Sequence, residues 1–441
     1  AVRAASILGA AQGLSVYIDG IRINEPFGDV VNWDMIPEFS LDNISLIPGS
    51  NPMYGLNTLG GALSLTTKSG LSHPGKVARV SFGSFSRKKL DISLAGKFSA
   101  GSGGDYFISA SHFVESGWRD YSDGKISNIF GKANKNTDFG SVGIMTYFGD
   151  SDLLGNGLLP STNFGVGDDV GEIRESGLYE ARRQAVYSHP DQTKNEVGLI
   201  SLNFQNYLDD DTQLNGLIYH RYGRQKRLGG DVEAEFESDE NEWEFEGEFN
   251  NSKTRQNSSG FGLNFSKILD NHQITTGVTF DQSSVSYHAT ETEDCEVNSI
   301  RKVICDDDSE TEDSAKVSGK SKTYSLFASD TTEVSGGIFV TGSLRYNHSK
   351  VENTLSTPAE GFEELVAQPK ESFNYSKLNP ALGISAKLDN GLNLFANASQ
   401  GNRVPTVIEL GCADKDNPCL LPTGLQADPF LEQVISRTYE I

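Results

Sequence analysis

Positive charge is scarce in this 441-residue sequence: 37 Lys and Arg stand against 60 Asp and Glu, a formal net charge of −23 at pH 7. A surface that acidic repels phosphate backbones instead of releasing counterions from them, so nucleic acid is excluded as a partner. Long hydrophobic runs are also missing. Nowhere do about 18 apolar residues follow one another, which excludes helical membrane proteins. Transmembrane β-barrels survive that test, because their alternating strands average to modest hydropathy. Cysteine is limited to two local pairs, Cys295/Cys305 and Cys412/Cys419, in Asp-, Asn- and Ser-rich stretches. Such pairs predict two disulfides formed in an oxidising compartment. With no CxxC and no His beside them, zinc is not expected. No GxSxG, HExxH or P-loop occurs, and the seven His share no metal-ligand spacing. Neither catalysis nor a cofactor is therefore expected.

What is present points to strands. Gly is abundant at 46, and 24 Phe and 15 Tyr dominate the aromatics, a profile of many strands joined by tight turns. From about residue 77 the chain alternates with period two: Ile200, Leu202 and Phe204 oppose Ser201, Asn203 and Gln205, and Val340, Leu344 and Tyr346 oppose Thr341, Ser343 and Arg345. Leu90, Ile92 and Leu94, and later Ile274, Thr276, Val278 and Phe280, repeat the pattern. Turn residues mark short links at 99–105, 134–140, 208–213, 269–272, 331–337 and 388–391, with longer ones near 149–196, 222–260, 282–322, 347–376 and 401–433. A soluble sandwich gives no reason for that alternation. An outer-membrane barrel does, with short turns at one rim and long extracellular loops at the other, and the scheme yields about fourteen strands. Both cysteine pairs fall in the long links.

The first ~70 residues read differently, with short connections interrupted by Pro and Gly, and are too short to be stable alone. Residues 69–75, containing Gly70, Pro74 and Gly75, read as a linker. The chain starts at Ala1 without Met and stops inside an alternating segment, 434–441. The expectation is an internal fragment of a longer protein.

Three motifs carry a family likeness. The run from Tyr17-Ile18-Asp19-Gly20 to Asn24-Glu25-Pro26-Phe27-Gly28, then Pro48-Gly49-Ser50 through Met53-Tyr54-Gly55 to Gly60-Gly61, resembles the second half of the plug of TonB-dependent outer-membrane receptors. Asn402-Arg403-Val404-Pro405-Thr406 followed by Glu409-Leu410 resembles the motif these receptors carry on a late strand and its loop. The resemblance implies an all-β fold: a transmembrane antiparallel barrel of 22 strands in full, with an N-terminal plug in its lumen. Residues 1–72 would be the C-terminal part of the plug and 76–441 an incomplete barrel. It also implies active import of a scarce solute, most commonly a ferric siderophore or other metal chelate, across a Gram-negative outer membrane. The partners would be the TonB-ExbB-ExbD system, outer-membrane lipid and a small-molecule ligand. The alternative is a passive porin or surface adhesin, for which the plug motifs would have no use. One departure stands out. Many members have Arg-Gly-Pro where this chain has Pro48-Gly49-Ser50, so the plug arginine that would pair with barrel glutamates is absent.

In the family the solute is captured by plug apices and extracellular loops, and 24–33 matches one apex. Phe27, Asp29, Asn32 and Trp33 thereby become contact candidates, the aromatics offering flat faces and the polar pair directional hydrogen bonds. The alternative is that Phe27 and Trp33 pack the plug against the wall. Gly49, Tyr54, Gly55, Gly60 and Gly61 read as structural, where strands cross closely. The acidic run 231–248 reads as a solvated outer loop, with a cation-attracting comb of carboxylates as the alternative.

Overall fold

The computed structural model describes residues 13–98, 103–155, 183, 188–237, 242–297, 302–306, 309–357, 365–388, 391–411 and 432–441; the side chains of 233–245 are not described. The opening segment forms a small sheet of β1 (Leu14–Ile18), β2 (Ile21–Arg22), β3 (Leu41–Pro48) and β4 (Gly61–Thr67), in spatial order β2-β1-β4-β3. β1 runs parallel to β4, with Leu14 opposite Gly61 and Ile18 opposite Leu65. All five residues of β1 are buried, as a central parallel strand demands. Gly61 has no substitute at this crossing. Its φ is +141° and an added Cβ would lie 2.5 Å from the Ile47 carbonyl oxygen.

The rest is a meander of antiparallel strands. In chain order they are β5 (Gly75–Phe82), β6 (Lys88–Lys97), β7 (Gly104–Glu115), β8 (Gly124–Thr137), β9 (Gly140–Gly155), β10 (Asp191–Asp209), β11 (Thr212–Glu237), β12 (Glu242–Leu269), β13 (His272–Val297), β14 (Val303–Ile304), β15 (Thr311–Ser335), β16 (Ile338–Thr357), β17 (Val366–Ala367), β18 (Glu371–Lys387), β19 (Asn393–Arg403) and β20 (Val434–Glu440), with a helical turn α1 (Val407–Gly411) after β19. Fourteen of these strands form one path from β5 to β20, with the two-residue β14 and β17 off it, and among the described residues no ladder joins its ends.

The period-two alternation sets which face is which. Ile200, Leu202, Ile218, Phe261, Leu326 and Leu344 are exposed, whereas Ser109, Asn195, Ser325, Asn347 and Ser349 are buried. Apolar side chains outside and small polar ones inside are the inverse of a soluble barrel and the pattern of a membrane-spanning one. No described helix is long and apolar enough to cross a membrane.

Several long links contract. β11, β12, β13 and β15 run for 26, 28, 26 and 25 residues, so much of what the turn residues mark as link is strand. The acidic run is one such correction. Backbone pairing sets Asp231 opposite Glu248, Glu233 opposite Glu246, Glu235 opposite Glu244 and Glu237 opposite Glu242, in a hairpin and not a loop. The alternation of Glu with Trp243, Phe245 and Phe249 is a strand period, and ladder hydrogen bonds form whatever charge the polar half carries. Cys295 likewise lies in β13 and is bonded to Cys305 just beyond β14. Cys412 and Cys419 lie outside the described residues.

The small sheet sits within the wall and is held differently on its two sides. Leu14, Val16, Ile18, Ile21, Val31 and Leu65 form one apolar cluster with Phe107, Phe130, Met145, Tyr147 and Leu199 of β7–β10. Toward β11–β16 polar contacts surround a cavity, and Phe27 packs on a second apolar cluster that includes Tyr287, Val317 and Val351.

Candidate functional site: the plug and wall interface

Asn24 organises the plug loop that faces the wall. Its side chain accepts from the Val16 amide at 2.9 Å and donates to the carbonyls of Leu14 at 2.9 Å and Asp29 at 3.2 Å. The Glu25 amide donates to Val30 O and the Asp29 amide to Glu25 O, closing a tight turn in which Asp29 holds φ +54°. Such a turn accommodates Asp at little cost.

The turn commits three of the four contact candidates to the protein itself. Asp29 is buried, paired with Arg22, and accepts from Asn57 Nδ2 at 3.0 Å. Burial pushes its carboxyl above the usual range despite Arg22. Asn32 donates to Glu25 Oε1 at 2.6 Å, and burial likewise raises Glu25. Phe27 stacks on Tyr287 of β13 with ring centroids 5.1 Å apart, and its amide donates to Gln256 Oε1 at 2.9 Å. Trp33 alone stays 44% exposed, beside Asp34, which accepts from Ser151 at 2.7 Å and Asn195 at 3.3 Å. Both partners lie toward the long-link ends of β9 and β10.

The structural set falls at the crossing points. Gly49 (φ +69°) abuts Thr438 and Glu440 of β20, and Gly55 (φ +34°) abuts Tyr17. Tyr54 meets Tyr17 edge-on with centroids 5.6 Å apart, and Gly60 approaches the Gly13 carbonyl, to which its amide donates at 2.9 Å.

The late-strand motif acts as a bracket between wall and plug. Arg403 donates to both carboxylate oxygens of Glu409 at 2.8 and 2.9 Å, and the Thr406 amide and hydroxyl donate to the same carboxylate at 2.7 and 2.9 Å. Burial raises the Glu409 carboxyl, but these four donors outweigh it and hold the group below the ordinary value. The bracket aims Ile408 N at Phe27 O, 3.2 Å away, and the Val404 amide at Asn57 Oδ1, 3.1 Å away. Asn402 takes hydrogen bonds from Asn347 at 2.9 Å and Asn379 at 2.7 Å, tying the bracket to β16 and β18.

Between the plug and β11–β16 lies a cavity of about 440 Å³. Tyr17, Arg22 and Glu25 line it from the plug, and Arg221, Asp281 and Arg345 from the wall. Arg221 donates to Asn24 O at 2.6 Å, and Arg345, buried, donates to Thr279 Oγ1 at 3.0 Å and Pro52 O at 3.4 Å. Arg221 and Arg345 thus bring wall cations to plug carbonyls, and the ion pairs Lys132–Asp19 at 2.8 Å and Lys89–Glu38 at 3.1 Å likewise set a wall cation against a plug carboxylate. Arg345 was legible in the sequence as an inward residue between Leu344 and Tyr346, but no local signal marks its partner. Arg221 and Asp281 were missed, and only their place opposite outward apolar neighbours hints at the lumen.

Comparison with known proteins agrees with this architecture. Residues 116–441 match the family model for the TonB-dependent receptor-like β-barrel. A stretch of 92 residues is 34% identical to the ferric aerobactin receptor of Klebsiella pneumoniae, covering 20% of this chain and 12% of that protein. The open form of the ferric-catecholate import receptor Fiu of E. coli K12 superposes with a TM-score of 0.71 at 15% identity, over 90% of this chain and 64% of Fiu. The ferric yersiniabactin uptake receptor FyuA of Yersinia pestis gives 0.65 at 12%, over 90% and 57%. Identities this low speak for the fold alone, and the chain spans less than two thirds of each of these proteins. The family match covers well over half of the chain, and the chain belongs to the TonB-dependent receptor β-barrel family.

Proposed function

We propose that the whole protein actively imports a ferric siderophore or related metal chelate across the outer membrane of a Gram-negative bacterium, driven by the TonB-ExbB-ExbD system. The observation that carries this reading is the asymmetric seating of the plug. Its buried apolar cluster is shared with β7–β10, whereas toward β11–β16 the Phe27–Tyr287 stack stands among polar contacts around a 440 Å³ cavity. Polar contacts exchange for water at small net cost, so that side can open while the other holds. A passive porin has no use for a plug, and an adhesin no use for a lumen cavity. The names of the ferric aerobactin, ferric-catecholate and ferric yersiniabactin receptors support the chelate class.

Trp33 is the ligand contact we favour, because Phe27, Asp29 and Asn32 are already partnered within the protein. The test is growth of a deletion strain on a panel of single iron, cobalamin and glycan sources, complemented with the wild-type gene or Trp33→Ala. Growth is expected to fail on one ferric chelate and return with the wild-type gene. Trp33→Ala should weaken chelate binding about thirtyfold, the ~2 kcal/mol of an aromatic anchor. A deletion strain that grows normally on every source overturns the import reading, and wild-type affinity with a leaky pore returns Trp33 to a packing role.

A further inference from the structure

The outward face of β11 and β12 is open along most of its length and then closes over. Even-numbered residues of β11 share a face with the exposed Ile218 and Tyr222, and odd-numbered residues of β12 share one with the exposed Phe261. Followed toward the long-link ends, the same faces reach Gly230 and Gly247, and both are buried. What covers them is β14, whose Val303 is only 1% exposed. A Cβ added at Gly247 would lie 2.8 Å from Val303 Cγ1 and 2.9 Å from Cys295 O, and one added at Gly230 would lie 3.2 Å from both Val303 Cγ2 and His189 O. Neither glycine holds a positive φ, so it is the closeness of the cover that calls for glycine there.

A bulge brings the cover into place. Gly247 pairs with Cys295 but Phe249 with Thr292, so Glu293 and Asp294 together stand against Glu248, and Asp294 holds φ +56°. Such a bulge bends its strand, and the end of β13 beyond it carries β14 across the hairpin. On the far side β14 meets the segment that leads into β10. The Val303 amide donates to His189 O at 2.8 Å, Lys302 pairs with His189 in a parallel bridge, and Pro190 O accepts from the Gly230 amide at 2.6 Å. The His189 ring lies on Tyr121 of the link between β7 and β8, with centroids 4.0 Å apart. Beside it the Asp120 amide donates to Arg183 O at 3.0 Å, and Arg183 Nε donates back to Asp120 Oδ1 at 3.2 Å.

Connections far apart in the chain thus meet around His189 and Val303: the links after β7, β9 and β13, and the β11–β12 hairpin between them. The piece that joins them is weak by itself. Two ladder pairs, Val297 with Val303 and Glu296 with Ile304, set β14 on β13, and so short a pairing has little stability of its own. The Cys295–Cys305 disulfide closes the same turn covalently. We propose that this disulfide rivets β14 as a strap over the outward face of β11–β12, and that the strap makes these separate links order and loosen as one unit. The long links are then preset by a contact on the outside of the wall, away from the plug and the cavity.

The test is hydrogen exchange read by mass spectrometry on the full protein in detergent, comparing wild type with Cys295→Ser plus Cys305→Ser. Exchange should speed by roughly tenfold or more at 120–121, 188–190 and 229–231 as well as in β14, because local opening there is no longer opposed by the rivet. Exchange at 343–349, deep in the wall, should not change. Gly247→Val keeps both cysteines but sets side-chain carbons where Val303 lies, and should give the same spread of losses. Reducing the folded wild type with a dithiol guards against a variant that does not assemble. Two electrons and two protons pass to the disulfide, both cysteines become thiols, and the reagent closes to its own cyclic disulfide. The serine variant leaves Cys412 and Cys419 in place, so equal losses in both arms assign the effect to Cys295–Cys305. Faster exchange confined to β14 and the end of β13, or unchanged exchange throughout, overturns the proposal. Losses on reduction that neither the serine variant nor Gly247→Val reproduces also overturn it. The strap rests on the wall's geometry alone, so exchange as expected without chelate uptake concerns the import reading and not the strap.

Discussion

Asn57 joins two separate parts of the plug and wall through one side chain. It holds φ +66°, donates to Asp29 Oδ2 at 3.0 Å, and accepts from the Val404 amide at 3.1 Å, so one buried amide joins the plug turn to the late-strand bracket. Removing it leaves the Asp29 carboxylate to Arg22 alone and the Val404 N–H without this partner. Asn57→Gly relieves the backbone but loses both bonds, and should cost about 1–3 kcal/mol of plug stability. Asn57→Ala should cost about 1 kcal/mol more, because its Cβ disfavours positive φ. Protease susceptibility of the plug under denaturant measures both. A Gly variant as resistant as wild type would show that the bridge carries nothing.

At the scale of elements, α1 is too short to be stable by itself and exists because Glu409 gathers Arg403 and Thr406 around one carboxylate. Its carboxyl is held below the ordinary 4.5. A depressed folded value means the bracket's contribution is fully present above the unfolded value and is lost as pH falls through the lower folded one. The melting-temperature gap between wild type and Glu409→Gln should therefore be constant from pH 7 to about 5 and shrink below about 4.5. A gap that does not change with pH would mean the ionised form is not what the bracket stabilises.

At the scale of the molecule, the charged contacts between wall and plug named here place the cation on the wall. Lys132 with Asp19, Lys89 with Glu38, and Arg221 and Arg345 with plug carbonyls all share that polarity. Lys132 and Asp19 are each only 15% exposed, and Asp19 also accepts from the Thr67 amide at 2.9 Å. Asp19→Asn and Lys132→Met singly, then together, should give a coupling of about 1–3 kcal/mol in plug release. Additive effects within ~0.5 kcal/mol would refute a direct bond between plug and wall.

Much of this protein was legible in the order of its residues. Period-two alternation with turn residues determined the strands, their faces and the count of fourteen, because side-chain direction in an extended chain depends only on parity. The motifs around Asp19-Gly20, Gly60-Gly61 and Asn402–Glu409 marked the plug and its bracket. Strand ends were less readable: Glu and Asp at 231–248 look like loop by composition, yet a hairpin needs only backbone partners. Contacts between distant segments were decided by tertiary structure alone. Phe27 was chosen from the sequence as a ligand face, but Tyr287, some 260 positions away, covers it. The pairing of Lys226 with Lys194 and Lys253 is equally invisible in one dimension, since register is set by the turns and the buried faces of three strands together.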